Sequence, residues 1–226
     1  MQAVIFDWDG VVIDSSAQHE RSWELLAAER SLPLPPGHFK RGFGKKNQLI
    51  IPEILEWSRD PAEIDALGHR KEELYRLLVR ESGVVVLPGA RELLAALLEA
   101  GIPAAVGSST PRANLEAIFA ATGLDRFFQA VVCGDDVRHG KPAPDVFLQA
   151  AARLHTPAAA CLVIEDAHVG IQAAHAAGIP VLAVATTHPL DELATATAAV
   201  SSLREADPPF LQQVWRLAAD RRQGGF

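Results

Sequence analysis

Apolar residues in this chain follow two rhythms. Short unbroken runs, Ala3–Phe6, Ile102–Val106, Ala130–Cys133, Cys161–Ile164 and Pro180–Val184, are rich in β-branched residues and bounded by Gly, Asp or Ser. Runs of this length predict strands buried on both faces. Between them, apolar positions recur at helical spacing over Arg91–Ala100, Arg112–Ala121, Pro144–Leu154 and Val169–Ala177. Gly101, Gly123 and Gly178 close three of these stretches, as glycine commonly does just past a helix end. Strand–helix–strand repetition of this kind predicts an α/β domain, a doubly wound parallel sheet with helices on both faces.

One segment breaks the rhythm. Residues 15–84 hold 22 charges in 70 positions, 11 basic and 11 acidic, against 27 in the other 156. His19–Arg30 and Ile64–Arg80 show helical periodicity without strand signals, and Leu32-Pro-Leu-Pro-Pro36 breaks the chain between them. The organisation predicted is a core domain of residues 1–14 and 85–226 with an inserted helical cap at 15–84. Short connections near Ser15 and Val85–Gly89 suit a lid that closes over a reaction.

Composition narrows the setting. At 226 residues, 49% apolar and 22% charged, the chain is an ordinary globular one and neither disordered nor fibrous. Its 21 basic and 28 acidic residues leave a net −7, all of it outside the balanced insertion, which weighs against nucleic-acid and anionic-membrane partners. Cys133 and Cys161 are too few for a disulfide scaffold and lack metal-ligand spacing. No run of about 18 apolar residues exists, and the opening MQAVIFDWDG meets two acids before any signal-peptide core could form. A cytoplasmic protein is expected. The modest stripe Leu211, Val214, Trp215, Leu217 reads as docked on the core, leaving a monomer or weak homodimer.

Open parallel sheets bind ligands beyond the carboxyl ends of their strands. After the first strand come Asp7-Trp8-Asp9-Gly10, and after the second Gly107-Ser108-Ser109-Thr110. A loop beyond the third carries Gly140-Lys141-Pro142, and Glu165-Asp166 follow the fourth. Asp7 and Asp9, two apart, point the same way if the chain stays extended. Clustered carboxylates resist ionisation unless a cation compensates, and an all-oxygen set suits Mg²⁺. A carboxylate can serve as a nucleophile, a second as acid and base, with Ser108 and Lys141 holding phosphate oxygens. The bland readings are an N-cap for Ser108-Ser109-Thr110 and a helix-dipole preference for Glu165-Asp166.

Four pieces together, Phe6-Asp-Trp-Asp-Gly-Val-Val-Ile-Asp-Ser15, Val106-Gly-Ser-Ser109, Gly140-Lys-Pro-Ala-Pro-Asp145 and Ile164-Glu-Asp-Ala-His-Val-Gly-Ile-Gln-Ala-Ala174, resemble the haloacid dehalogenase superfamily in its branch with a small helical cap. The resemblance implies Asp7 as nucleophile and metal ligand, and Asp9 as acid and base that lends its backbone carbonyl to the metal. It implies Ser108 and Lys141 as phosphoryl-binding residues and Asp166 as a Mg²⁺ ligand, assisted by Glu165 directly or through water. Ser109, in the same loop as Ser108, is a candidate substrate contact. Dehalogenase members lack an acid where Asp9 stands, so the resemblance points to phosphoryl transfer.

Within the cap, Asp14–Trp23 is similar to sugar-phosphate members, including β-phosphoglucomutases, which carry a His and a Trp at matching places. His19, Lys45 and Lys71 are therefore candidate substrate contacts; a solvated charged face is the plain alternative for the lysines. The mutases carry an arginine where Lys45 aligns and a threonine where Ser15 stands. Arginine grips a second phosphate with a bidentate fork that lysine lacks. The expectation is a Mg²⁺-dependent phosphatase acting on a small phosphorylated metabolite, with a sugar phosphomutase as the alternative and a catalytically silent binding or regulatory protein as a remote third.

Overall fold

The computed structural model describes residues 1–42 and 45–223. The chain opens with strand β1 (Ala3–Phe6) and the two-residue β2 (Ile13–Asp14), followed by helices α1 (Ser16–Arg30), α2 (His38–Gly42), α3 (Asn47–Leu49) and α4 (Pro61–Ser82). Then come β3 (Val85–Val86), α5 (Ala90–Glu99), β4 (Ala104–Gly107), α6 (Arg112–Thr122), β5 (Ala130–Val132), α7 (Asp145–Arg153), β6 (Cys161–Glu165), α8 (His168–Ala176), β7 (Val181–Val184), β8 (Ala198–Val200) and α9 (Pro208–Gln223).

Six strands form a parallel sheet in the order β5-β4-β1-β6-β7-β8. The five expected strands are present within a residue or two, and all of β1, β4, β6 and β7 is buried. The edge strand β8 was not foreseen: Ala198-Ala-Val200 emerges from an Ala/Thr-rich stretch with little apolar contrast. On one face the sheet packs against α7 and α8, through Val146, Phe147, Ala150, Ile171 and Ala174. On the other it meets α5 and α9, where Leu211 and Val214 of the apolar stripe are buried but Leu217, expected to dock with them, is 42% exposed. Strand order reverses at β1, the place where such sheets open a ligand crevice.

The chain divides into two compact units. Residues 1–14, 85–115 and 122–226 form the first; 15–84 and 116–121 form the second. That division groups the middle of α6 with the insertion, where the sequence reading keeps it in the core. A small antiparallel pair, β2 with β3, joins Ile13 to Val86 and Asp14 to Val85 where the insertion leaves and returns. Inside the second unit, Trp23, Leu26, Ile51, Leu55, Leu67 and Leu74 build a separate core. Its longest helix, α4, starts on Asp60, whose carboxylate accepts from the Ala62 and Glu63 amides, with Pro61 at the first helical position. The apolar run after Asn47 is a π-helical turn, Ile50–Leu55, that contains Pro52. Among the described residues no helix is long and apolar enough to cross a membrane.

Candidate active site

The sheet register sets the site. Phe6 pairs with Ile164 and with Val106, so Asp7 lies level with Glu165 on one side and Gly107 on the other. The Asp7 amide extends the ladder by donating to the Ile164 carbonyl. Beyond Asp7 the chain does not stay extended: the amides of Val11, Val12 and Ile13 all turn back to the Trp8 carbonyl, around Gly10 at φ +83°. Trp8 turns inward, fully buried, with its ring edge-on to Phe128. A side chain on Gly10 is excluded, because its Cβ would lie 2.0 Å from Asp166 Oδ2.

Lys141, buried on the β5–α7 loop, bridges two acids. Its Nζ donates to Asp7 Oδ1 at 2.5 Å and to Glu165 Oε1 at 2.7 Å. Phe147 lies beneath it, 4.7 Å from the ring centre. The other Glu165 oxygen accepts from the amides of Asp166 and Ala167, at 2.7 and 2.8 Å, tying the start of α8 to the end of β6. Asp166 is fixed by Thr187, whose hydroxyl reaches Oδ2 at 2.7 Å. Asp7, Glu165 and Asp166 each bring an oxygen within 4.8 Å of the others, and all three are buried.

Burial sets the charge states. It pushes the Asp7 carboxyl up to about 7; Lys141 opposes the rise, and the charge of Glu165 adds to it. Asp166 rises well above the carboxylate range from burial first, then from Glu165 and Asp7. Burial also works against the Lys141 ammonium, but Asp7 and Glu165 together hold it above the ordinary lysine value. Lys141 is therefore the charge that lets the acids share one pocket. Replacing it with methionine leaves Asp7 and Glu165 buried without it, and a cost of about 3 kcal/mol is expected at pH 8. The loss should shrink at pH 5, where Asp7 is protonated, and urea denaturation at the two pH values checks it.

Asp9 is not among the clustered carboxylates; its Oδ2 accepts a short hydrogen bond from the Thr110 hydroxyl. Ser108 is buried just past β4, its Oγ accepting from the Thr110 amide at 3.0 Å, while Ser109 is exposed. Two further acids just past β5, Asp135 and Asp136, lie outside the carboxylate cluster. Asp135 accepts from the Arg112 amide, and Asp136 binds Arg112, Arg153 and the Cys133 amide. Burial opposes the Asp136 charge, but those donors hold it at about 2.

In the insertion, Lys71 is buried rather than part of a solvated face. Its Nζ lies 2.7 Å from His19 Nδ1 and 2.9 Å from Glu72, over the rings of Trp23 and Tyr75. An ammonium has no lone pair, so Lys71 donates to Nδ1 and His19 keeps its proton on Nε2. Glu72 also accepts from Asn47 at 2.8 Å. Lys45 and Lys46 are exposed, and Phe43 and Gly44 of the Gly42–Asn47 loop lie outside the described residues. Thr110, Thr186 and Thr187 were missed as site residues: each follows a strand, yet a hydroxyl there reads equally well as a helix cap or turn.

Comparison with known proteins gives the family. The model of the haloacid dehalogenase-like hydrolases matches residues 1–178. The chain is 37% identical over 204 residues to the chloroplastic 5-amino-6-(5-phospho-D-ribitylamino)uracil phosphatase of Arabidopsis thaliana, covering 89% of this chain but only 54% of that relative. Fructose-1-phosphate phosphatase of Escherichia coli is 35% identical, over 78% of this chain and 92% of its own. A crystal structure of a family IA, variant 3 hydrolase from Entamoeba histolytica superposes with a TM-score of 0.86 at 27% identity, covering 96% of this chain and all of that one. β-Phosphoglucomutases are similar to the chain as well. The fold, the acids at the strand ends and the matched relatives agree: this chain belongs to the haloacid dehalogenase-like hydrolases.

Proposed function

We propose that the protein is a phosphatase that hydrolyses a small phosphorylated metabolite, a sugar phosphate for preference, through a phosphorylated Asp7. The observation that carries this reading is the Asp7 carboxylate at the switch point of the sheet, held by a buried lysine beside two further acids. An Asp7 oxygen attacks phosphorus, the bond to the leaving oxygen breaks, and Asp9 gives that oxygen its proton. A water then passes a proton to Asp9 and attacks phosphorus. The bond to Asp7 breaks, restoring the carboxylate and releasing phosphate. Ser108 and Lys141 bind phosphoryl oxygens, with Ser109 beside them.

The acids fit a hard divalent cation. Three buried carboxylates offer only oxygen, and the raised values of Asp7 and Asp166 mark charges that a cation would relieve. Asp7 and Asp166 would hold Mg²⁺, with the Asp9 carbonyl and with Glu165 directly or through water. Bound there, it would supply charge neutralisation for phosphoryl oxygens. Binding must displace the proton that Asp7 keeps up to about pH 7. Mg²⁺ is therefore expected to raise the melting temperature more at pH 8 than at pH 6; equal shifts would count against Asp7 as a ligand.

His19, Lys45 and Lys71 are proposed to recognise the rest of the substrate. A phosphomutase is the second reading, favoured by the mutases among the relatives. One experiment separates the readings: phosphate release from a panel of sugar phosphates with and without Mg²⁺, with Asp7→Asn as the blank and isomeric sugar phosphate read in parallel. Release that needs both metal and Asp7 supports the phosphatase. Isomer formation without release, dependent on an added bisphosphate, would replace it with the mutase. Neither product would leave a silent binding protein.

A further inference from the structure

We propose that Thr110 is the positioning residue for the acid Asp9, an assignment that rests on the reading of Asp9 as the proton donor. The Thr110 hydroxyl, 101 positions away in the chain, donates to Asp9 Oδ2. That bond limits rotation of the Asp9 carboxyl group, and a fixed direction is the geometry that proton transfer to a leaving oxygen requires.

Thr110 itself has little freedom. It is buried, its amide donates to Ser108 Oγ at 3.0 Å, and its carbonyl accepts from the Gly134 amide at 3.1 Å. Gly134 lies so close to this loop that a Cβ there would sit 2.3 Å from the Ser109 carbonyl oxygen. The 134–136 turn is anchored in its turn by Asp135 on the Arg112 amide and by Asp136 on Arg112 and Arg153. Backbone and neighbouring turn thus fix Thr110 before its side chain is considered, and β-branching stiffens the remaining χ1 torsion. The same loop carries Ser108, so one rigid segment sets both a phosphoryl-binding hydroxyl and the direction of the acid. A cap for α6 would send this hydroxyl to the helix start; it goes to Asp9.

The test compares two leaving groups. A sugar phosphate expels an alkoxide that needs its proton, whereas p-nitrophenyl phosphate expels a stable phenolate. Read as kcat/KM, which covers steps only through transfer to Asp7, the comparison isolates the acid role from the later base role. Thr110→Val is expected to lower kcat/KM for the sugar phosphate by about 10- to 100-fold. Its kcat/KM for the aryl ester should stay within about threefold, and Thr110→Ser should recover most of the loss. Equal losses on both substrates, or none on the sugar phosphate, would overturn the proposal. Asp9→Asn in parallel tells the two failures apart. If Asp9→Asn splits the substrates and Thr110→Val does not, Thr110 alone is misassigned; if Asp9→Asn affects both alike, the acid reading falls and the positioning with it.

Discussion

Asp7→Asn is expected to abolish phosphate release while making the metal-free protein more stable. Removing a nucleophile leaves only binding and electrostatic effects, so a loss of at least about four orders of magnitude in kcat is expected. The stability effect has the opposite sign. Burial raises the folded-state value of Asp7 to about 7, from 3.8. Between those values the folded chain holds a proton that the unfolded chain has lost, so stability falls as pH climbs through that window, and above pH 7 the full penalty remains. Asparagine carries no charge and no such penalty, and Lys141 keeps Glu165 at 2.7 Å as its partner. Denaturation in urea without divalent cations should show a gain on the order of 1–2 kcal/mol at pH 8 that fades by pH 5, where wild-type Asp7 is itself neutral. A variant that is inactive and equally destabilised at both pH values would contradict this account of the Asp7 charge. Activity obtained at the expense of stability is common at functional sites.

Gly170→Ala is expected to be the most disruptive of the small changes. In a helix, alanine is favoured over glycine by about 1 kcal/mol, so propensity alone forecasts stabilisation at this position in α8. Space decides otherwise. A Cβ at Gly170 would lie 1.6 Å from Glu165 Oε1 and 1.9 Å from its carboxyl carbon, and Glu165 would have to leave. Its departure removes the 2.7 Å pair with Lys141 and both amide bonds that hold the start of α8. A net loss of about 2–4 kcal/mol is expected, read as a lower urea midpoint at unchanged slope. Activity should fall at least about 100-fold, because Lys141 and the backbone of Asp166 move with Glu165. A Gly170→Ala protein that is as stable and active as wild type would show that Glu165 is not the anchor described here.

Much of this was legible in residue order, for physical reasons that differ by element. Strands β1, β4, β6 and β7 are buried on both faces, so their sequences are unbroken apolar runs that need no partner to be recognised. Gly101, Gly123 and Gly178 take positive φ just past α5, α6 and α8, and each was read from the chain as a stop. The carboxylates were legible because they directly follow those strands. What escaped was set by contacts distant in sequence. The β2–β3 pair is too short to leave a pattern, and Pro52 lies inside a π-helical turn where proline ordinarily interrupts a helix. Lys71 is buried because His19, Glu72 and two aromatic rings surround its ammonium, and His19 stands 52 positions away. Thr110 and Thr187 look like ordinary loop hydroxyls until the sheet brings Asp9 and Asp166 to them. Asp9 stays close enough to Asp7 for its charge to raise the Asp7 carboxyl, while its own carboxylate accepts from Thr110, a partner 101 positions away.

The central claim is that Asp7 carries the phosphoryl group during turnover. Its most direct test is to quench the enzyme with acid during steady turnover of a sugar phosphate with Mg²⁺, digest it, and weigh the peptide that holds Asp7. The account predicts a fraction of that peptide heavier by one phosphoryl group, with the added mass on Asp7, and none in the Asp7→Asn protein. Sustained phosphate release with every Asp7 peptide unmodified, or with the phosphoryl group on another residue, would contradict it.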